Sequence, residues 1–289
     1  MSPDLMRGGA MDGFRQLLQE AQQEKAAITA EANALEPVAA RSTRRAASWS
    51  RGWLFKRLFP QKAARILRQA EEDSARLAEL REQLDLCSVR TEIEVPAELV
   101  EPYRELLAAF ERLAASAATW DTIAARATDR VAERTTAERT VDRKPVRFQL
   151  AKCSVIDFAD PVPCLRNHNG GDLFLYPGFV LVHGDGGAFA VFDVRELRLD
   201  VSEVQFQEGE GVPPDAQVIG HSWLRANKDG SPDRRFQDNR QIPIARYGRL
   251  TVASSNGLCE EWMASNADST MAFGRAWSAL VASVQREPS

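Results

Sequence analysis

The chain has 289 residues, a formal net charge of -4, 44% hydrophobic and 27% charged residues, ordinary values for a globular protein long enough for two domains. Bulk charge excludes a protein that holds nucleic acid by overall basicity, and four scattered cysteines exclude a disulfide framework. No window nears the roughly 20 apolar residues of a membrane span, and Asp4 and Asp12 near Met1 do not suit a secretory signal, so a soluble cytoplasmic protein with reduced thiols is expected.

Phe14, Leu17, Leu18, Ala21, Ile28, Ala32 and Leu35 recur at helical spacing and predict a first helix that Pro37 ends. From Pro37 through Ala70 there is no acidic residue, while Arg41, Arg44, Arg45, Arg51, Lys56, Arg57, Lys62, Arg65 and Arg68 are all positive. Trp49, Trp53, Leu54, Phe55, Leu58 and Phe59 lie among them. Arg51, Trp53, Phe55, Lys56 and Arg57 are the candidate binding residues of this basic and aromatic patch. Three chemistries suit it: arginines on anionic lipid with aromatics in the interface, arginines on phosphate with aromatics stacked on bases, or aromatics docked into a core with charged tips outward.

Ile66, Ala70, Leu77, Leu80, Leu84 and Cys87 form a heptad seam, broken by Asp73. A second seam follows Pro96: Leu99, Tyr103, Leu106, Phe110, Leu113, Ala117 and Trp120, extended through Ile123, Ala127 and Val131. Two seams joined by a short segment predict an antiparallel helical hairpin, with the stripe Leu106, Phe110 and Leu113 as an association surface. The Thr/Glu/Arg-rich run to Arg143 reads as solvated. The domain boundary is expected near Lys144 and Pro145, giving a helical domain over 1–144 and a β domain over 145–289.

Beyond the boundary the period becomes strand-like. Strands are predicted at 146–150, 154–158, 173–182, 189–194, 197–206, 218–224, 242–247, 249–253 and 258–264, separated by turn clusters. A final helix from Asp268 carries Phe273, Trp277, Leu280, Val281 and Val284 on one face. The fold class is therefore α+β, a helical hairpin or coiled coil followed by an antiparallel β-barrel or sandwich closed by a C-terminal helix.

The phrase Leu175-Tyr176-Pro177-Gly178-Phe179-Val180-Leu181, the run from Phe189 to Val201, and the hairpin from Leu250 to Ala264 feeding the last helix carry a resemblance. Over roughly residues 170 to 285 the chain resembles the pleckstrin-homology-like superfold, especially its bacterial members. In lipid-binding members a basic first hairpin loop grips the headgroup. Here the matching loop, His183 to Gly187, has no lysine or arginine, so the resemblance implies a protein-binding use of the fold.

The stretch from Trp223 to Gly257 concentrates turn formers and arginines ahead of a half-buried β pattern. Its candidate binding residues are Lys228, Asp229, Asp233, Arg234, Arg235, Asp238 and Arg240. Arginines and aspartates this dense serve either as internal bidentate pairs that fix a loop or as groups presented to a partner.

Enzymatic patterns are weak. Cys153, Cys164 and His168 match no zinc spacing, so no metal or cofactor is expected. The His168-Asn169 pair hints at a metal-dependent nuclease, but Asp172, Asp185, Asp193 and Glu196 show no ordered spacing. His221 beside Ser222 lies in no nucleophile-elbow sequence. The expectation is a non-catalytic adaptor that binds a protein partner, or a second copy of itself, through the helical hairpin and the β-domain loops. A nucleic-acid-binding or cleaving accessory protein and a peripheral membrane adaptor acting through residues 49–59 are the alternatives.

Overall fold

The computed structural model describes residues 10–51, 57–86, 95–127, 137, 139–153, 155–156, 158–184, 188–209, 211–227 and 229–285. Their contacts divide the chain into two compact units. Asp12–Glu92 with Cys153–Phe158 forms one, and Met1–Met11, Ile93–Lys152 and Ala159–Ser289 form the other.

The first unit is built on α1 (Ala10–Arg51), 42 residues and about 63 Å long, and α2 (Pro60–Leu86). Their contacts run in opposite directions along the two helices: Ala46 packs with Ile66 and Ala70, Thr43 bonds Ser74, and Glu36 pairs with Arg81. The hairpin is therefore α1 with α2. Ala32, Ala39 and Ala46 are buried at seven-residue intervals, and their small side chains suit close approach of a second helix. Pro37, expected to end the first helix, lies inside α1. Proline takes its own N–H out of the ladder and crowds the carbonyl four residues before it, and the buried alanines on both sides of it hold the helix through that local cost.

In the second unit α3 (Ala97–Ala114) starts at Pro96 and carries Glu98 in its first turn and Arg112 in its last, both favourable to the helix dipole. Leu99, Tyr103, Leu106, Phe110 and Leu113 are buried as their spacing predicts, but against a different partner. Phe110 lies 6.4 Å from Phe148 and 5.9 Å from Phe273, and the Tyr103 hydroxyl donates to the Leu175 carbonyl. The expected pairing of the two seams is thus corrected, and the stripe at Leu106, Phe110 and Leu113 is core. After a turn at Ala115 the chain becomes β1 (Thr119–Ala127), so Trp120 and Ile123 are strand residues; Val131 lies outside the described residues. The expected boundary at Lys144 and Pro145 falls inside β2 (Arg139–Val146), which pairs with β1, and the change of compact unit comes near residue 93.

Nine further strands follow: β3 (Gln149–Ala151), β4 (Val162–Leu165), β5 (Asp172–Tyr176), β6 (Phe179–His183), β7 (Phe189–Asp193), β8 (Leu197–Gln207), β9 (Gln217–Trp223), β10 (Gln241–Ser254) and β11 (Cys259–Ala264). All pairings among the described residues are antiparallel. One sheet is the meander β3-β4-β5-β6-β7, and the other runs β2-β1-β11-β10-β8 with β9 also on β10. Both paths are open among the described residues, so no closed barrel is formed. The predicted strand 173–182 is two strands turned at Pro177-Gly178, where Gly178 takes a φ of 94°. The predicted strands 242–247 and 249–253 are one, β10. It pairs with β8 along one edge, and β9 then β11 share the other. Position 154–158 shows no strand among its described residues, with Ser154 and Asp157 outside them.

The C-terminal helix α4 (Ala267–Gln285) buries Phe273, Trp277, Leu280 and Val284 beside α3 and over β8 and β10. Together with Leu173, Leu175, Val180, Leu250, Val252 and Trp262 they form one core between helices and sheets. Each such side chain contributes about 1.5–3 kcal/mol by leaving water. No helix among the described residues is long and apolar enough to cross a membrane.

Candidate functional site

The antiparallel pairing of α1 and α2 brings the two halves of the acid-free stretch to one end of the hairpin. Arg41, Arg44, Arg45 and Arg51 come from the end of α1, and Arg57, Lys62, Arg65 and Arg68 from the chain entering α2. All eight are exposed, and none forms an ion pair among the described residues. Glu71, Glu72 and Asp73 lie level with Arg44 and Arg45, and the opposite end holds Glu20, Glu24, Glu31 and Glu36 on α1 and Glu79 and Glu82 on α2, with Arg15 and Lys25 among them. There the charges are partly matched, by Arg76 with Glu31 and Glu79 and by Arg81 with Glu36. The hairpin is thus richest in cations toward one end and carries its acids along the rest of its length.

Its two grooves differ. One, about 650 Å³, is lined by Arg41 and Arg45 one turn apart on α1 and by Lys62 and Arg65 on α2, with a single acid, Asp73. The other, about 830 Å³, balances Arg44 and Arg81 against Glu36 and Glu82. Of the aromatics in this stretch, Trp49 is half-buried against Ala46, Ile66 and Ala70, with the Lys62 ammonium 5.8 Å from its ring. Leu58 and Phe59 are 62% and 53% exposed. Among the predicted patch residues Arg51 and Arg57 are exposed, while Trp53, Phe55 and Lys56 lie outside the described residues.

In the second unit the arginine loop connects β9 to β10, and several of its polar groups bond within the loop itself. Asp233, 3% exposed, accepts from the Arg235 backbone N–H and Nε through Oδ1 and from Nη2 through Oδ2 at 2.6 Å. Asn239 accepts the Arg225 N–H and donates to the Arg225 carbonyl, pinning the two ends of the loop together. Asp229 accepts the Ser231 N–H and hydroxyl, which hold its carboxyl below its ordinary pKa, and Gly230 supplies a φ of 83°. Arg240 donates to the Gly209 carbonyl. Of the three acid–arginine pairs the composition allows, the described residues hold one, Asp233 with Arg235. Arg234 and Asp238 are exposed, and Lys228 lies outside the described residues. Beside this clamp, Val218, Ile219, Leu224 and Phe236 are exposed apolar residues, and β9 pairs with β10 alone among the described residues. An edge strand with apolar side chains is a surface that a partner strand can extend.

Two buried polar arrangements escaped the sequence reading. On one face of the β1/β10/β11 sheet, the Arg143 guanidinium lies 4.0 Å from the Trp120 ring centroid and 4.1 Å from that of Phe206. Its Nη2 donates to Glu208 at 2.6 Å, and the Tyr247 hydroxyl donates to the same carboxylate oxygen. Burial, then Glu208, push the Tyr247 phenol well above its ordinary pKa. On the other face, fully buried Asp121 accepts the His168 N–H through Oδ2, while its Oδ1 has no partner among the described residues. Glu260 lies nearby. Burial raises its pKa, the Asn167 amide opposes that rise, and the Asp121 charge adds to it.

Several of the residues weighed for catalysis have scaffold contacts. Asp172 pairs with Arg166 and accepts the Asn167 N–H, and Asp193 and Glu196 form a capping box around a short 3-10 turn. Cys153 and Cys164 are buried thiols, Asp185 lies outside the described residues, and no three His, Cys, Asp or Glu side chains converge as a metal site among the described residues. No protein-family model matches the chain, and neither a curated protein nor a solved structure matches it.

Proposed function

We propose that the protein is a non-catalytic cytoplasmic adaptor whose α1/α2 hairpin engages an anionic partner through its basic end. The second unit, a pleckstrin-homology-like sandwich, serves as its protein-binding module. The observation that carries the reading is the uneven charge along the hairpin: eight exposed cations that form no ion pair among the described residues lie toward one end, and the acids lie along the rest. Like charges this close raise the energy of the isolated rod, and an anion laid across them lowers it. The loop from His183 to Gly187, between β6 and β7, has no lysine or arginine, which supports placing anion binding on the helices. The exposed β9 edge and the clamped loop beside it support a protein partner there.

Retention of the full chain on a heparin column tests the reading. The wild type is expected to need more salt for elution than R41E/R45E, whose reversed groups line the basic groove. Equal elution of the two proteins would refute it.

A further inference from the structure

We infer that the anion met by the hairpin is the surface of an anionic phospholipid bilayer, a reading that rests on the anion-binding role proposed above. Cations alone do not distinguish lipid from nucleic acid, because both present phosphate. The apolar residues among the cations do. Leu58 is 62% exposed, and an aliphatic side chain gains nothing from phosphate and has no π-face to stack on a base. It gains on entering the acyl boundary of a bilayer, as does Phe59 beside it.

The geometry agrees. The Phe59 carbonyl accepts the Ala63 N–H, so Phe59 stands at the start of α2 and its position is fixed relative to that helix. Along the axis Lys62 lies about 4.5 Å beyond it and Arg65 about 9 Å beyond. An apolar pair that enters the interface by about 5–10 Å therefore sets these two cations at the level of the phosphates, with Arg45 and then Arg41 farther along the same groove. The acids at the opposite end are repelled by an anionic surface and orient the rod with its basic end toward the bilayer.

Flotation of the full chain with vesicles tests the inference, using phosphatidylglycerol mixed with phosphatidylcholine and phosphatidylcholine alone. Fluorescence anisotropy with single-stranded and duplex 20-nucleotide probes runs beside it, and heparin retention reports the anion-binding role separately. The wild type is expected to float with the anionic vesicles alone. L58S/F59S should lose on the order of tenfold in vesicle affinity with heparin retention unchanged, and F59L should keep the affinity. K62E/R65E should lose about 30-fold. Circular dichroism of each variant verifies that the hairpin is helical. Vesicle binding that L58S/F59S leaves unchanged overturns the lipid inference. So does oligonucleotide binding without vesicle binding, in which case the anion-binding role stands. A chain that binds none of vesicles, oligonucleotides and heparin overturns both.

Discussion

Arg143 and Glu208 form an ion pair that is closed on nearly every side: their side chains are 12% and 3% exposed, and the guanidinium is sandwiched between Trp120 and Phe206. The rings replace water over the faces of the cation, while Tyr247 supplies the carboxylate with a second donor. The pair holds together the end of β8, β2 and the middle of β10. Arg143→Ala leaves Glu208 buried without its cation, at an expected cost of about 3–5 kcal/mol in urea unfolding. Arg143→Ala with Glu208→Ala removes the stranded charge as well and should cost less than the sum of the two single changes. Additive costs would mean that the two residues act independently.

The loop between β9 and β10 presents a different balance, since its arginines divide between a clamp and a surface. Asp233→Ala removes a buried acceptor of three hydrogen bonds, and a loss of about 2 kcal/mol in thermal unfolding is expected. Arg234→Ala, next to it but exposed and without an ion pair among the described residues, should stay within about 0.5 kcal/mol. A larger cost for Arg234→Ala than for Asp233→Ala would reverse the assignment of roles within the loop.

The same Asp-x-Arg spacing recurs at Asp193 and Arg195, with the same three bonds from backbone N–H, Nε and Nη2. At Asp193 and Arg195 the clamp was not read; at Asp233 and Arg235 it was legible as one of two readings, because residues two apart can close a bidentate ring whatever the tertiary fold. The buried face of α4 and the basic block were legible for the same reason: periodicity and charge are local properties. What the pattern could not give was the partner of each face. The α3 seam has the same heptad spacing whether it meets another helix or Phe148 and Phe273, so Leu106 and Phe110 read as half of a hairpin. Arg143 sat in a run that composition marks as solvated. A flat guanidinium between two rings is nevertheless compatible with burial, and the alternation of Val141 and Arg143 was its only sign in the sequence.

Leu106 tests the corrected assignment of α3. It is fully buried with Phe110 and Leu113 in the core shared with α4. Leu106→Asp places a charge there without a partner, and loss of cooperative unfolding of the second unit is expected, read as loss of near-ultraviolet dichroism. A variant that keeps its melting temperature and changes only its sedimentation would restore the stripe to an association surface.

Glu260 gives the fold a pH dependence of defined sign. Burial disfavours its carboxylate, and the nearby charge of Asp121 adds to the effect, so the folded pKa lies above the unfolded one. The folded chain then holds its proton more tightly, and between the two values it carries more protons than the unfolded chain. Stability contributed by this group is fully present below the unfolded pKa of about 4.5 and is lost as pH rises through the folded value. Glu260→Gln keeps the shape and removes the charge. The variant is expected to melt above the wild type at neutral pH, and the difference should narrow as pH falls toward about 4.5. Melting curves at steps of pH check both statements together. A variant less stable than the wild type at neutral pH would mean that the ionised carboxylate has a stabilising partner, and Asn167, whose amide lies beside it, is the residue to change next.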